Sequence, residues 1–138
     1  MERICTKVQE LNAPPVELAL QRCCLGGSKA GYLLRCNGDR VSDSMLRKFD
    51  AGMAAGLESA LWEPLPDDSW IQASLAVDAG GLGMRSTQSV ALPAFTASHI
   101  TARPLVAEMA QHTEEAGLCP SALRMRVYDE RTQAALAR

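Results

Sequence analysis

The stretch "SMLRKFDAGMAAGLESALW", Ser44 to Trp62, carries the clearest helical pattern in the sequence. Its apolar residues recur every three or four positions, a spacing that aligns them along one face of a helix. These residues are Leu46, Phe49, Met53, Leu57, Ala60 and Leu61. Gly52 and Gly56, four positions apart, leave room for another helix to approach closely. The pattern predicts a helix over 44–62 that forms the core of the fold.

Helical spacing also appears before this stretch. A helix is predicted over 15–25. The apolar face predicted for it consists of Val16, Ala19, Leu20, Cys23 and Cys24. Ser28 is of a residue type that caps helix N-termini, so a short helix is predicted after it. That helix would carry Lys29, Tyr32, Leu33 and Cys36.

Further helices are predicted toward the C-terminus. One over about 86–101 contains Pro93, the next begins at Pro104 and ends at Gly117, and the last begins at Pro120. Alanine and leucine are frequent throughout and favour helices. The sequence therefore predicts an all-α fold, a single small domain of about six helices with a glycine-rich helix–turn–helix joint.

Length and composition limit the possible classes of protein. The chain has 138 residues, of which 47% are hydrophobic and 22% charged, values typical of a folded domain with one core. No apolar run reaches the 18 residues of a membrane span, and the first residues lack the apolar segment of a secretory signal. We expect an intracellular protein, nuclear or cytoplasmic. Five cysteines without a CxxC pair and two histidines predict no metal site and no cofactor.

Charge is segregated along the chain. Residues 22–48 contain six basic and two acidic residues, a net charge of +4, whereas residues 49–79 contain six acidic and no basic residues, a net charge of −6. Two such blocks would orient the chain against a polyanion. Alternatively, both are solvated faces of amphipathic helices.

Adjacent aspartates, Asp67 and Asp68, invite comparison with the metal-binding pair of polymerases. Two carboxylates bind Mg²⁺ well, but they need a third ligand and the phosphates of a substrate. Here Pro66 precedes the pair and a helical pattern follows it. Helix capping is therefore the preferred interpretation. Since His99 and His112 also lie in helical patterns, no catalytic residue is predicted.

The glycine-rich stretch "DAGGLGMRS", residues 78–86, has two open interpretations. It is not a dinucleotide fingerprint, because G-x-G-x-x-G requires glycine where Ser86 stands. Its backbone N–H groups would accept one phosphate if they formed a nest at a helix start. Otherwise Gly80, Gly81 and Gly83 form a turn between helices, and Ser86 caps the helix that follows.

The order of four segments resembles a known family. They are "SKAGYLLRCNGD", "FDAGMAAGLESAL", "LPDDSWIQASLAV" and "GGLGMRSTQSVALPAFTAS". Their order and spacing resemble the region that follows the palm in reverse transcriptases of non-LTR (LINE-type) retrotransposons. The likeness covers about residues 12–100, including the lead-in "APPVELALQRCCLGG".

Individual residues match the motifs of that family. Its Lys-Tyr-Arg helix is matched by Lys29, Tyr32 and Arg35, its F-D by Phe49 and Asp50, its W-x-Q by Trp70 and Gln72, and its glycine turn by Gly80, Gly81, Leu82, Gly83, Arg85 and Ser86. Met84 replaces the usual leucine, a substitution that conserves volume.

The resemblance implies a thumb-like helical region over 1–103 and a C-terminal helical extension over 104–138. As a thumb, the chain would contact an RNA–DNA template–primer duplex with Lys29, Arg35, Arg40, Lys48 and Arg85. The palm with its Asp-Asp hairpin does not precede this region, so we expect a fragment that is not an enzyme alone. Two alternatives remain: a free-standing helical protein-interaction module, or a non-functional retroelement relic.

Overall fold

A computed structural model describes residues 2–118 and 120–138, without the side chains of residues 2–5, 28, 67 and 121–123. No β-strand occurs among the described residues, and the predicted all-α class is confirmed. The α-helices are α1 (Glu2–Gln9), α2 (Pro14–Leu20), α3 (Gly27–Asn37), α4 (Asp43–Leu61), α5 (Asp67–Ser74), α6 (Thr87–Glu115) and α7 (Ser121–Leu136). A π-helical turn, Gln21–Leu25, continues α2, and a 3₁₀ turn, Val77–Ala79, follows α5. Within the described chain, no helix is both long and apolar enough to cross a bilayer.

The chain forms two compact units. The first consists of the residues up to Tyr32 together with Val41–Val90, and the second of Leu33–Arg40 together with Ala91–Arg138. The boundaries between the units fall inside α3 and α6. The division at residue 103 concerns the extent of the family resemblance and stays a prediction.

Helix α4 begins and ends close to the predicted bounds. Its N-cap is Ser42, whose Oγ accepts a hydrogen bond from Met45 N at 3.4 Å. Trp62 follows the last turn in the left-handed conformation, with φ 61°. A residue in this conformation ends a helix because the next N–H groups turn back to the last carbonyls.

The first unit is built on α4. Leu57 is fully buried and packs with Leu25, Met53, Ala73 and Met84. Around this cluster lie the partly buried side chains of Val8, Leu18, Phe49, Leu65 and Trp70. The predicted apolar stripe is confirmed as buried at Leu46, Met53, Leu57 and Ala60, but Leu61 is 50% exposed.

The buried face of α2 differs from the predicted one. Val16 is half exposed and the two cysteines are exposed, whereas Glu17 and Gln21 are buried with Leu25. Polar side chains lie inside here because they have local partners: a Glu17 carboxylate oxygen accepts from Ala13 N at 3.0 Å, and Gln21 Nε2 donates to Gly56 O at 2.8 Å. Hydropathy alone places such residues on the wrong face.

Helix α6 also differs, because it continues through the predicted break at Pro104. An internal proline removes one backbone hydrogen bond and crowds the preceding turn. Pro93 is partly exposed and Pro104 fully exposed, so solvent can pair a carbonyl that has no helical partner. Gly117, with φ 70°, follows the end of the helix as predicted.

The second unit centres on Phe95, which is fully buried. The guanidinium of Arg131 lies 5.2 Å from the centre of this ring and donates to both carboxylate oxygens of Asp39, at 3.1 and 2.8 Å. His99 stacks on Tyr128, with ring centres 4.5 Å apart, and its Nδ1 lies 3.2 Å from Thr132 Oγ1. Aromatic and charged side chains of α6 and α7 therefore hold this unit together.

Candidate nucleic-acid interface

The glycine turn, residues 80–84, uses its backbone donors internally. Its five consecutive N–H groups donate to carbonyl oxygens of residues 73–77 at 2.8–3.2 Å. A phosphate held by these groups would have to displace the existing hydrogen bonds. The geometry therefore favours the interpretation as a turn over the interpretation as a phosphate nest.

Two positions in the turn require glycine. A Cβ atom on Gly81 would lie 2.3 Å from the backbone oxygen of Leu75, a distance that no side chain can adopt. Gly83 has φ 72° and a Cβ atom there would lie 3.1 Å from Arg22 Nε. The spacing of glycines thus follows from close backbone approach and left-handed conformation.

Asp50 of α4 binds the first turn of α6. Its Oδ1 accepts from Thr87 N at 2.8 Å and from Thr87 Oγ1 at 2.7 Å. Its Oδ2 accepts from Ser86 Oγ at 2.6 Å and from Gln88 N and Nε2 at 3.3 Å each. The carboxylate occupies the site at which the N–H groups of a helix N-terminus bind an anion.

These contacts determine the charge of Asp50. Burial acts to raise the pKa of its carboxyl, but hydrogen bonds from Ser86, Thr87 and Gln88 outweigh burial and lower the pKa below its ordinary value. Asp50 therefore stays ionised at neutral pH. It also joins two of the motifs on which the family resemblance depends, the F-D pair and the glycine turn.

This arrangement corrects the predicted role of Ser86. Ser86 Oγ donates to Asp50, and the oxygens that accept from the N–H groups of α6 belong to Asp50. The sequence did contain a signal, because Asp50 follows Leu46 by four positions and precedes Met53 by three, on the buried face of α4. A buried acid in an apolar stripe requires hydrogen-bond donors from elsewhere in the fold.

The predicted nucleic-acid-binding residues are all exposed. Lys29, Lys48 and Arg85 belong to the first unit, on α3, on α4 and just before α6. Arg35 on α3 and Arg40 before α4 belong to the second unit. Nothing in the geometry of either unit tests whether all five bind one ligand, and their role stays a prediction.

Three basic side chains lie around the glycine turn. Arg85 packs against the start of α3, because its Cβ is 3.6 Å from where a Cβ on Gly27 would lie. Lys29 follows two residues later on that helix. Arg22 reaches the turn from α2 and its π-helical continuation, beside Gly83. Sequence reasoning counted Arg22 in the basic block but did not select it as a binding residue.

Arg22 also lines a shallow groove of about 240 Å³. The other lining residues are Pro15, Leu18, Ala19, Val77, Gly81 and Leu82. One wall comes from α2 and the other from the 3₁₀ turn and the glycine turn. The groove therefore combines one cation with an apolar surface.

The described residues do not bring together metal ligands. They contain no cluster of three or more His, Cys, Asp or Glu side chains that would hold an ion. Asp67 and Asp68 start α5, and the N-cap position is taken by Pro66 without a side-chain hydrogen bond. The predicted capping by either aspartate is therefore wrong, and both residues belong to the first turn, where the helix dipole favours negative charge.

Comparisons of the chain with protein-family models, with curated proteins and with solved structures found no match.

Proposed function

We propose that the chain is a thumb-like part of a retrotransposon reverse transcriptase that contacts the backbone of an RNA–DNA template–primer duplex and does not catalyse synthesis alone. The order of the sequence motifs and the exposed basic side chains support this proposal. The observation that carries it is the position of Arg22, Lys29 and Arg85 around a glycine turn that Asp50 holds in place.

Electrostatics make these three residues suited to phosphate contact. Within the described part of the chain, none of them is ion-paired, so their charges are available to an outside anion. The acidic residue between them in the fold, Asp50, is screened by the N-terminus of α6. Contacts of this kind position a nucleic acid without reading its sequence.

Titration of a labelled RNA–DNA hybrid tests the proposal. We expect a Kd on the order of 10⁻⁴–10⁻⁶ M near physiological salt, a steep fall in affinity as salt rises, and little dependence on base sequence. The double variant Lys29→Ala, Arg35→Ala should lower both the affinity and the salt slope, by up to about one unit for each phosphate neighbour removed. Arg126→Ala is the matched control, because Arg126 is already paired with Glu130 on α7.

A primer-extension assay with Mg²⁺ tests the catalytic part of the proposal. We expect no product from the purified chain, because two-metal synthesis requires a carboxylate cluster. Templated synthesis by nuclease-free protein would contradict this expectation and reopen a catalytic role for Asp67 and Asp68.

A second candidate function is a protein-interaction module. Trp62 is 77% and Tyr32 76% exposed, and large exposed apolar side chains mark interaction surfaces. Absence of hybrid binding at low salt, or binding indifferent to the Lys29 and Arg35 changes, would favour this candidate over the thumb-like role.

A further inference from the structure

The groove beside Arg22 combines features that suit a nucleic-acid backbone. Arg22 Nε lies over the glycine turn, 3.1 Å from the position of a Cβ on Gly83, so the absence of a side chain at Gly83 is what admits the guanidinium. A guanidinium offers several N–H donors in a plane that matches phosphate oxygens. The adjoining wall of Pro15, Val77 and Leu82 is apolar, like the faces of a sugar ring.

The charges around the groove favour an anion. Glu17, an acid on α2, is buried and accepts from Ala13 N. Asp78, next to Val77 of the wall, is exposed and opposes an anion. Arg22, Arg85 and Lys29 outnumber it around the same turn.

We infer that the groove is a backbone-binding subsite, in which Arg22 contacts a phosphodiester of the RNA–DNA hybrid and the apolar wall packs on the adjoining sugar. The inference rests on the proposed function and extends it to a residue outside the predicted set. It commits the side of the first unit that carries Arg22 and Arg85 to the duplex.

Three variants and a control test the subsite by hybrid titration. Arg22→Ala should weaken binding roughly fivefold, as expected for one charge-assisted contact, and lower the salt slope by about one. Arg22→Lys should restore the slope but only part of the affinity, because an ammonium lacks the planar donor pair. Asp78→Asn should strengthen binding. Arg124→Ala, an exposed arginine on α7, should change neither quantity.

A measurement on the unaltered chain removes any dependence on the folding of the variants. Phenylglyoxal modifies accessible guanidinium groups, and mass spectrometry gives the rate at each arginine. The hybrid should slow modification of Arg22 severalfold and leave Arg124 unaffected. Equal rates at Arg22 with and without saturating hybrid would overturn the subsite.

The outcomes separate the inference from the proposed function. If Lys29→Ala and Arg85→Ala weaken hybrid binding but Arg22→Ala does not, the subsite is wrong and the thumb-like role stands. If the hybrid does not bind at low salt, the proposed function fails and the subsite fails with it. If an acidic peptide protects Arg22 from phenylglyoxal and the hybrid does not, the groove belongs to a protein partner and the inference is overturned.

Discussion

Asp50 in the first unit and Asp39 in the second are shielded carboxylates that the fold stabilises in different ways. Among the described residues Asp50 has no cationic partner, and it accepts from hydroxyl, amide and backbone N–H groups at the start of α6. Asp39 accepts two hydrogen bonds from the guanidinium of Arg131, which is 92 positions away in the sequence. The first carboxylate depends on dipoles and the second on an opposite charge.

The difference concerns how easily each site can be replaced. Donors fixed by a helix and a turn are left without their acceptor when Asp50 is removed, and an unpaired buried donor costs free energy. Arg131 keeps its contact with Phe95 and some exposure to solvent when Asp39 is removed. We therefore expect the first unit to be more sensitive to the loss of its carboxylate than the second.

The largest effect should come from the apolar core on which Asp50 rests. Leu57→Ala should lower the free energy of unfolding by about 2–5 kcal/mol, because truncation of the fully buried side chain leaves a cavity. Leu61→Ala, a half-exposed residue of the same helix, is the control and should change it by about 0.5 kcal/mol or less. Urea unfolding measures both, and an unchanged midpoint for Leu57→Ala would contradict the role of α4 as the core.

Removal of the first carboxylate should follow in size. Asp50→Ala should cost about 1.5–3 kcal/mol, since charge-assisted hydrogen bonds to Thr87 and Ser86 disappear. Asp43→Ala, an exposed acid in the first turn of α4, is the matched control. A cost no larger than that of the control would show that the α6 N-terminus does not depend on Asp50.

Acid should weaken the same interaction. The pKa of Asp50 is lower in the folded state than its ordinary value of 3.8. Its stabilisation is thus present above that value and is lost as the pH falls through the folded pKa. Unfolding free energies measured below pH 4 should therefore fall more steeply for the unaltered chain than for Asp50→Ala.

Removal of the second carboxylate should cost less. Asp39→Ala should lower the free energy of unfolding by about 1 kcal/mol, because the side chain of Arg131 is 28% exposed and water can hydrogen-bond to it in place of the carboxylate. Arg126→Ala breaks a surface-exposed pair with Glu130 and should have no measurable effect. If Asp39→Ala costs more than Asp50→Ala in thermal unfolding, the comparison between the two units is reversed.

The smallest effect should be the titration of His99. Burial lowers the pKa of His99 and Arg131 lowers it further, while Asp39 acts in the opposite direction. Because the folded pKa lies below 6.5, stability is fully present above pH 6.5 and is lost as the pH falls toward the folded pKa. His99→Phe should remove part of the stability difference between pH 7 and pH 5. Exposed His112→Phe should leave it unchanged.

Sequence reasoning succeeded where local pattern and burial agree. The bounds of α4, the glycine after α6 and the helical class were all predictable from spacing and residue type. It failed on α2, where Glu17 and Gln21 are buried through partners at Ala13 and Gly56. The second partner is 35 positions away, and hydropathy contains no information about such an interaction.

By itself, the sequence determined where helices form, that Gly80 and its neighbours turn the chain, and that basic and acidic residues are segregated. Only the tertiary structure decided that Asp50 caps α6, that the N–H groups of the turn are already bonded, and that Arg22 lies beside Gly83. The physical reason is range. Helix and turn preferences arise within about four residues, whereas hydrogen bonds and close approaches between elements depend on which backbones the fold brings together.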